Sequence, residues 1–206
     1  MTTDQALSKL NNTTNITRNV KLGHHVLTDL LKKAYSAEKA AAFAYQGHAG
    51  SVKDINDKKS IHQIEIDEWN HRREVLGIMR QYGINPSKFY EFRFYVIGKI
   101  ISFSCYVIGW FMPYYFAGKL ESGNVCEYFR MIHFFNSLGI TKHNQLLYEM
   151  GMKEKEHEVY FLGRIKQNKL LPFFEKLFSW GKNNSFNNVD LEKKYSLEDS
   201  EFICKK

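Results

Sequence analysis

The chain has 206 residues, enough for one domain with a sizeable core, and its three cysteines (Cys105, Cys126, Cys204) follow no zinc-site or redox spacing. Proline occurs only at Pro86, Pro113 and Pro172, which leaves room for long uninterrupted helices. The net charge of +7 points to an anionic partner, and charge alone admits both a nucleic acid and an anionic membrane leaflet.

Residues 1–19 are polar and Asn/Thr-rich, without the apolar core of a signal peptide, and residues 1–22 are expected to form a disordered arm. A helix is predicted over His24 to Ala49, with Val26, Leu27, Leu30, Leu31, Ala34, Ala41 and Tyr45 on one broad face and Glu38 within the helix. A second is predicted over Ser60 to Gln81, where Ile61, Ile64, Glu68, His71, Val75 and Ile78 follow the helical period. Gly83 closes it, and Pro86 opens the next segment.

Tyr90 to Lys119 is the most apolar segment; only Lys99 is charged between Arg93 and Lys119. Pro113 should kink it or divide it into two helices. Glu121 to Gly139 carries Tyr128, Met131, Ile132 and Phe135 on an apolar face, although Ser122, Gly123 and Asn124 should weaken the helix near Glu121. His143 to Asn168 is the last long helix, with Leu146, Leu147, Met150, His157, Phe161 and Ile165 in register. Pro172 to Trp180 is short and amphipathic, and a basic tail comes after it (Lys182, Lys193, Lys194, Lys205, Lys206). No sustained strand-like alternation occurs, so the fold is expected to be all-α.

The chemistry concentrates in two Glu-x-x-His pairs, Glu68/His71 and Glu154/His157. Residues three apart share a helix face, so each pair offers a carboxylate and an imidazole to one point. A single pair carries little weight, since most glutamates and histidines lie on solvated surfaces. The order along the chain carries more: Glu38, then one pair, then Glu121 or Glu127, then the second pair. Two such pairs plus a Glu from each of two other helices form the ligand set of a carboxylate-bridged di-iron or di-manganese bundle. Anionic oxygens stabilise high oxidation states, and imidazole suits iron. The expected ligands are Glu38, Glu68, His71, Glu121, Glu154 and His157, with Glu68 and Glu154 bridging and Glu38 and Glu121 terminal. Each His should donate its other ring N–H to a carboxylate or carbonyl.

At these residues the chain resembles the demethoxyubiquinone hydroxylase family, a membrane-associated branch of the ferritin-like proteins. Glu38 is followed seven residues later by Tyr45 in Tyr-Gln-Gly, and Glu121 seven residues later by Tyr128. Glu154 to Glu158 reads Glu-Lys-Glu-His-Glu, similar to the family's last motif. The likeness covers Leu27 to Arg164. Two features depart from it. Glu127 stands where the family has a His before the second Tyr, and the run before Glu121 is bulky and aromatic. The family's spacing favours Glu121 over Glu127 as the third-helix ligand.

The resemblance implies a ferritin-like four-helix bundle over residues 23–170, with an additional apolar membrane-associated helical segment; residues 171–206 add the amphipathic piece and tail. It implies a di-iron monooxygenase that uses dioxygen as co-substrate to hydroxylate a polyprenylated methoxy-benzoquinol in ubiquinone biosynthesis. Two Fe ions are the expected cofactor, with Mn as the alternative, and the resemblance names no electron donor. Tyr45 and Tyr128 would lie near the metals as catalytic residues, unless they are ordinary core tyrosines. The expected partners are membrane lipid, the polyprenyl quinol and other ubiquinone-biosynthesis proteins, with no nucleic acid. The expected location is peripheral, on the cytoplasmic face of the inner membrane or its equivalent. Phe94 to Gly118 is long enough to span a bilayer, but Lys99, Pro113 and its aromatics favour a helix or hairpin in the interface. Alternatives are a ferritin-like iron-handling protein, a tRNA-modifying di-iron hydroxylase, a di-iron hydroxylase of another substrate, and a membrane-bound helical protein with a lost site.

Overall fold

The computed structural model describes residues 21–178; the expected arm up to residue 20 and the basic tail from residue 179 lie outside them. Among the described residues the chain forms six helices and no strand, as the lack of alternation predicts. They are α1 (His25–Ser51), α2 (Ile55–Gln81), α3 (Lys88–Ser104), α4 (Phe111–Ser137), α5 (Asn144–Ile165) and α6 (Leu171–Phe178).

The helix ends have local causes. His24 Nδ1 accepts the Leu27 N–H at 3.0 Å and caps α1. The start of α2 precedes the expected Ser60, because Asp54 accepts the N–H groups of Asn56 and Asp57, both at 2.9 Å. Gly83 (φ +64°) and Gly139 (φ +71°) take the left-handed turn after α2 and α4, a conformation open to glycine at little cost.

The apolar segment divides at a different place from the one expected. The break falls between Ser104 and Phe111, where Gly109 has φ +78°. Pro113 is the third residue of α4, where its missing N–H would have had no helical acceptor. From there α4 runs unbroken for 27 residues through Ser122, Gly123 and Asn124. Burial of Tyr114, Tyr115, Tyr128 and Phe135 along it outweighs the weak local propensity.

The four long helices, α1, α2, α4 and α5, share two apolar clusters. One unites Leu27 and Leu31 of α1, Val75 and Ile78 of α2, Met131 and Phe135 of α4 and Leu147 of α5. The other unites Tyr45 of α1, Ile61 of α2, Tyr115 of α4 and Phe161 of α5. The start of α1 therefore lies level with the end of α2, the end of α4 and the start of α5. The directions run up, down, down, up, so α2 and α4 are parallel and need one long crossover.

That crossover is α3, which returns alongside α1. Two glycines let the helices meet: a Cβ on Gly98 would sit 2.8 Å from Ala40 Cα, and one on Gly47 only 2.5 Å from Ser102 Cα. Glu91 locks the pair. It accepts from Ser36 Oγ of α1 at 2.8 Å and Lys39 Nζ at 3.0 Å, and from Arg72 of α2 through a two-pronged contact at 3.0 and 2.8 Å. The other side of α3 and the link beyond it is exposed and apolar, with Phe92, Ile100, Phe103, Tyr106, Val107 and Trp110 facing outward. No helix among the described residues is long and apolar enough to cross a membrane.

Candidate metal centre

Between the two apolar clusters each long helix contributes acid or imidazole to a single buried layer. On α1 this is Glu38, between Ala34 and Ala41; on α2 it is Glu68 and His71, between Ile64 and Val75. On α4 it is Glu121, between Gly118 and Val125; on α5 it is Glu154 and His157, between Met150 and Phe161. All six are buried, and Glu68, Glu121 and Glu154 have no exposed surface. Helical spacing turns each residue to the core face of its helix, and the packing of the four helices in the two apolar clusters brings them to one level.

The six residues form two overlapping groups, Glu38/Glu68/His71/Glu154 and Glu68/Glu121/Glu154/His157. Within each group the ligand atoms lie within 4.8 Å of one another. Glu68 and Glu154 belong to both groups, as carboxylates bridging two ions must. Glu127 belongs to neither.

The polar atoms are unsatisfied in a telling way. Both oxygens of Glu68 and of Glu154, Glu38 Oε2, and the Nδ1 atoms of His71 and His157 are buried without a hydrogen bond. Yet they crowd together: His71 Nδ1 lies 2.7 Å from Glu154 Oε1, and His157 Nδ1 lies 3.5 Å from Glu68 Oε1 and 3.8 Å from Glu154 Oε2. Atoms that approach this closely without hydrogen-bond geometry are compatible with a shared third partner. Orphaned buried carboxylates are expensive, and a multivalent cation is the partner that removes the cost. Four carboxylates and two imidazoles suit a pair of first-row transition ions.

The terminal carboxylates are held from behind. The Tyr128 hydroxyl donates to Glu38 Oε1, and the Tyr45 hydroxyl to Glu121 Oε1. Asn124 Nδ2 donates to Glu121 Oε2 at 3.0 Å. His157 points Nε2 at Asp67 Oδ2, 3.2 Å away, which fixes the ring with Nδ1 toward the cluster. The expected carboxylate partner for a ligand histidine is thus present at His157.

The electrostatics of the bare layer follow from this crowding. Burial, then the charges of Glu154 and Glu38, raises Glu68 well above the usual carboxylate range, and burial with Glu154 does the same to Glu121. Burial also raises Glu38. Burial would raise Glu154 too, but the close approach of Glu121, His157 and His71 outweighs it and holds this group well below the usual range. Burial opposes the charged form of His157, yet Asp67, Glu154 and Glu68 together raise its pKa. Without cations, some of these acids must hold protons.

On the Glu121 side the layer borders a mostly apolar cavity of about 640 Å³. Its walls come from α1 (Ala44, Tyr45, His48), from the end of α3 and the link (Ile101, Ser104, Cys105, Ile108), and from α4 between Met112 and Glu127. Tyr45 and Asn124, both bonded to Glu121, form the boundary between cavity and cluster.

The structure brings together all six expected ligands and both expected tyrosines. Sequence reasoning missed Asp67 and Asn124. Asp67 carried a signal, an acid immediately before Glu68; Asn124 stands three residues after Glu121 and read only as a helix weakener. Comparison with known protein families, curated proteins and solved structures yields no match to this chain.

Proposed function

We propose that this chain is a ferritin-like di-iron monooxygenase that hydroxylates the ring of a polyprenylated methoxy-benzoquinol. The observation that carries the reading is the set of orphaned acceptors from four helices, centred on Glu68 and Glu154 and shared between two groups. The up–down–down–up order with one long crossover also supports it, being the connectivity of ferritin-like bundles.

Glu38, Glu68, His71, Glu121, Glu154 and His157 would hold two iron ions, and a pair of irons so held supplies the redox chemistry that activates dioxygen. The protein's own contribution is positional. Tyr128 and Tyr45 orient the terminal carboxylates, and Asp67, opposite Nε2, holds the His157 ring with Nδ1 toward the cluster. The cavity beside Glu121 offers apolar walls to a ring. A storage or iron-oxidising protein needs no such chamber, which favours an organic substrate.

A polyprenyl quinol resides in the bilayer. The outward apolar side of α3 and its link ends at the cavity wall, at Ile101, Ser104 and Ile108. Exposed Lys88, Arg93 and Lys99 flank it. This surface suits peripheral attachment to an anionic leaflet with the cavity facing the lipid.

The test is the quinone profile, by mass spectrometry, of a strain that lacks its own demethoxyubiquinone hydroxylase and expresses this chain. Conversion of the accumulated precursor to ubiquinone is expected, and its loss in Glu154→Ala. Persistent precursor with abundant, iron-loaded protein overturns the substrate assignment; conversion by Glu154→Ala overturns the metal mechanism.

A further inference from the structure

Glu127 is an unexplained acid in the cavity. It is half-buried, and it makes no hydrogen bond or ion pair among the described residues. The cavity's cation is already committed: Lys119 Nζ donates to the Phe178 carbonyl at 2.6 Å and lies over the Phe178 ring. Burial raises the pKa of Glu127, with Arg130 and Lys33 opposing only in part. A half-buried carboxyl on a mostly apolar wall, with no donor from the described residues, is available to a donor on whatever enters the chamber.

Its position says what that donor is attached to. Asn124 and Glu127 lie three apart on the cavity-lining face of α4. Their axial separation is about 4.5 Å, close to the span of one six-membered ring. Asn124 and Tyr45, at the near side, are bonded to Glu121. A flat ring lying between these groups would have one edge at the Glu121 boundary and the opposite edge at Glu127.

We propose that Glu127 selects the ligand of this cavity, accepting a hydrogen bond from an aromatic hydroxyl of the bound ring. The inference rests on the reading of the cavity as a site for an apolar ring-bearing substrate. A hydroxyl has a proton to give, whereas a quinone carbonyl or an aryl ether has none. Glu127 therefore favours the quinol over its oxidised or capped forms and fixes which ring edge faces the cluster.

The experiment is anaerobic calorimetric titration of the iron-loaded full chain with two probes. One is a methoxy-methyl-1,4-benzoquinol bearing a single isoprenyl unit; the other is its 1,4-dimethyl ether, which keeps the apolar body without the hydroxyl donors. The native chain should bind the quinol about 10-fold tighter than the ether, the scale of one hydrogen bond to a charged acceptor. Glu127→Leu should bring that ratio to about 1, while Glu127→Gln, which keeps a carbonyl acceptor, should retain part of it. A merely structural role would weaken both probes together, so an unchanged ratio in Glu127→Leu overturns the proposal. Equal binding of both probes by the native chain overturns the role of Glu127 and leaves the cavity reading intact. Failure of the native chain to bind either probe overturns both.

Discussion

At the level of single residues the buried acid layer is a liability to the fold without cations, and under the proposed function two bound ions would turn it into an asset. Glu38, Glu68, Glu121 and Glu154 repel one another in a buried site, and three of them are pushed toward the neutral acid. Glu68→Gln places a permanently neutral group at the most crowded position, with almost no change in shape. The metal-free variant should be more stable than the native chain by roughly 1–2 kcal/mol, read as a higher Tm. Added iron should raise the native Tm and leave that of Glu68→Gln nearly unchanged. A lower Tm in the metal-free variant would contradict this account of the layer. Asp67→Asn tests the outer support: the amide can still face His157 Nε2 but accepts a weaker bond, so chelator competition should report iron affinity about 10- to 100-fold lower. The candidate ligands were legible because helical period fixes the face a residue occupies, whereas the preference for Glu121 over Glu127 came from the spacing of the family that the chain resembles. Asp67 was not legible, since its role depends on α5 arriving opposite α2, a tertiary fact.

At the level of elements the critical joint is α3 on α1. The glycine notches at Gly98 and Gly47 allow backbone contact, so Gly98→Leu should lift α3 away and open the cavity wall at Ile101 and Cys105. Overpacking of this kind costs about 1–3 kcal/mol, and amide exchange should speed up in α3 more than in α2 or α5. The Glu91 lock makes the same joint pH-dependent. Partial burial would raise the Glu91 pKa, but Arg72, Ser36 and Lys39 outweigh it and bring it to about 2. A carboxyl whose pKa falls on folding stabilises the fold above its unfolded value, near 4.5, and loses that contribution as pH falls through the folded value. The advantage of the native chain over Glu91→Gln in urea should therefore be full at about pH 6 and vanish between about pH 4.5 and 2. Since Glu91 is 24% exposed, solvent screening limits it to about 1 kcal/mol. An advantage that persists at about pH 2 would contradict the lock. Element existence was legible from periodicity. The break in the apolar segment was misplaced because Pro113 attracted it, although proline near a helix start is harmless and the left-handed Gly109 was the stronger marker.

At the level of the whole molecule the sequence predicted a helical bundle but left the crossover open. The parallel pairing of α2 with α4 follows from which ends share a cluster, and no local pattern along the chain encodes it. The same topology explains why the most apolar segment stayed ambiguous. A crossover helix lies outside the four-helix core, so α3 buries one stripe on α1 and leaves the rest uncovered; only Gly98 of its residues is fully buried. Its apolar content therefore measures a second surface. If that surface meets lipid, acidic substitutions on it should abolish attachment without harming the bundle. Phe92, Phe103 and Val107 are 71%, 70% and 66% exposed, so changing all three to Glu removes little folded-state packing, with an expected cost within about 0.5 kcal/mol at each site. The native chain should co-sediment with vesicles containing anionic lipid and stay bound in high salt, because apolar burial is not screened. The triple variant should remain in the supernatant with its Tm and iron content intact. Undiminished sedimentation of that variant would move the attachment site elsewhere. Release of the native chain by salt alone would mean that its positive charge, and not the uncovered face of α3, makes the contact.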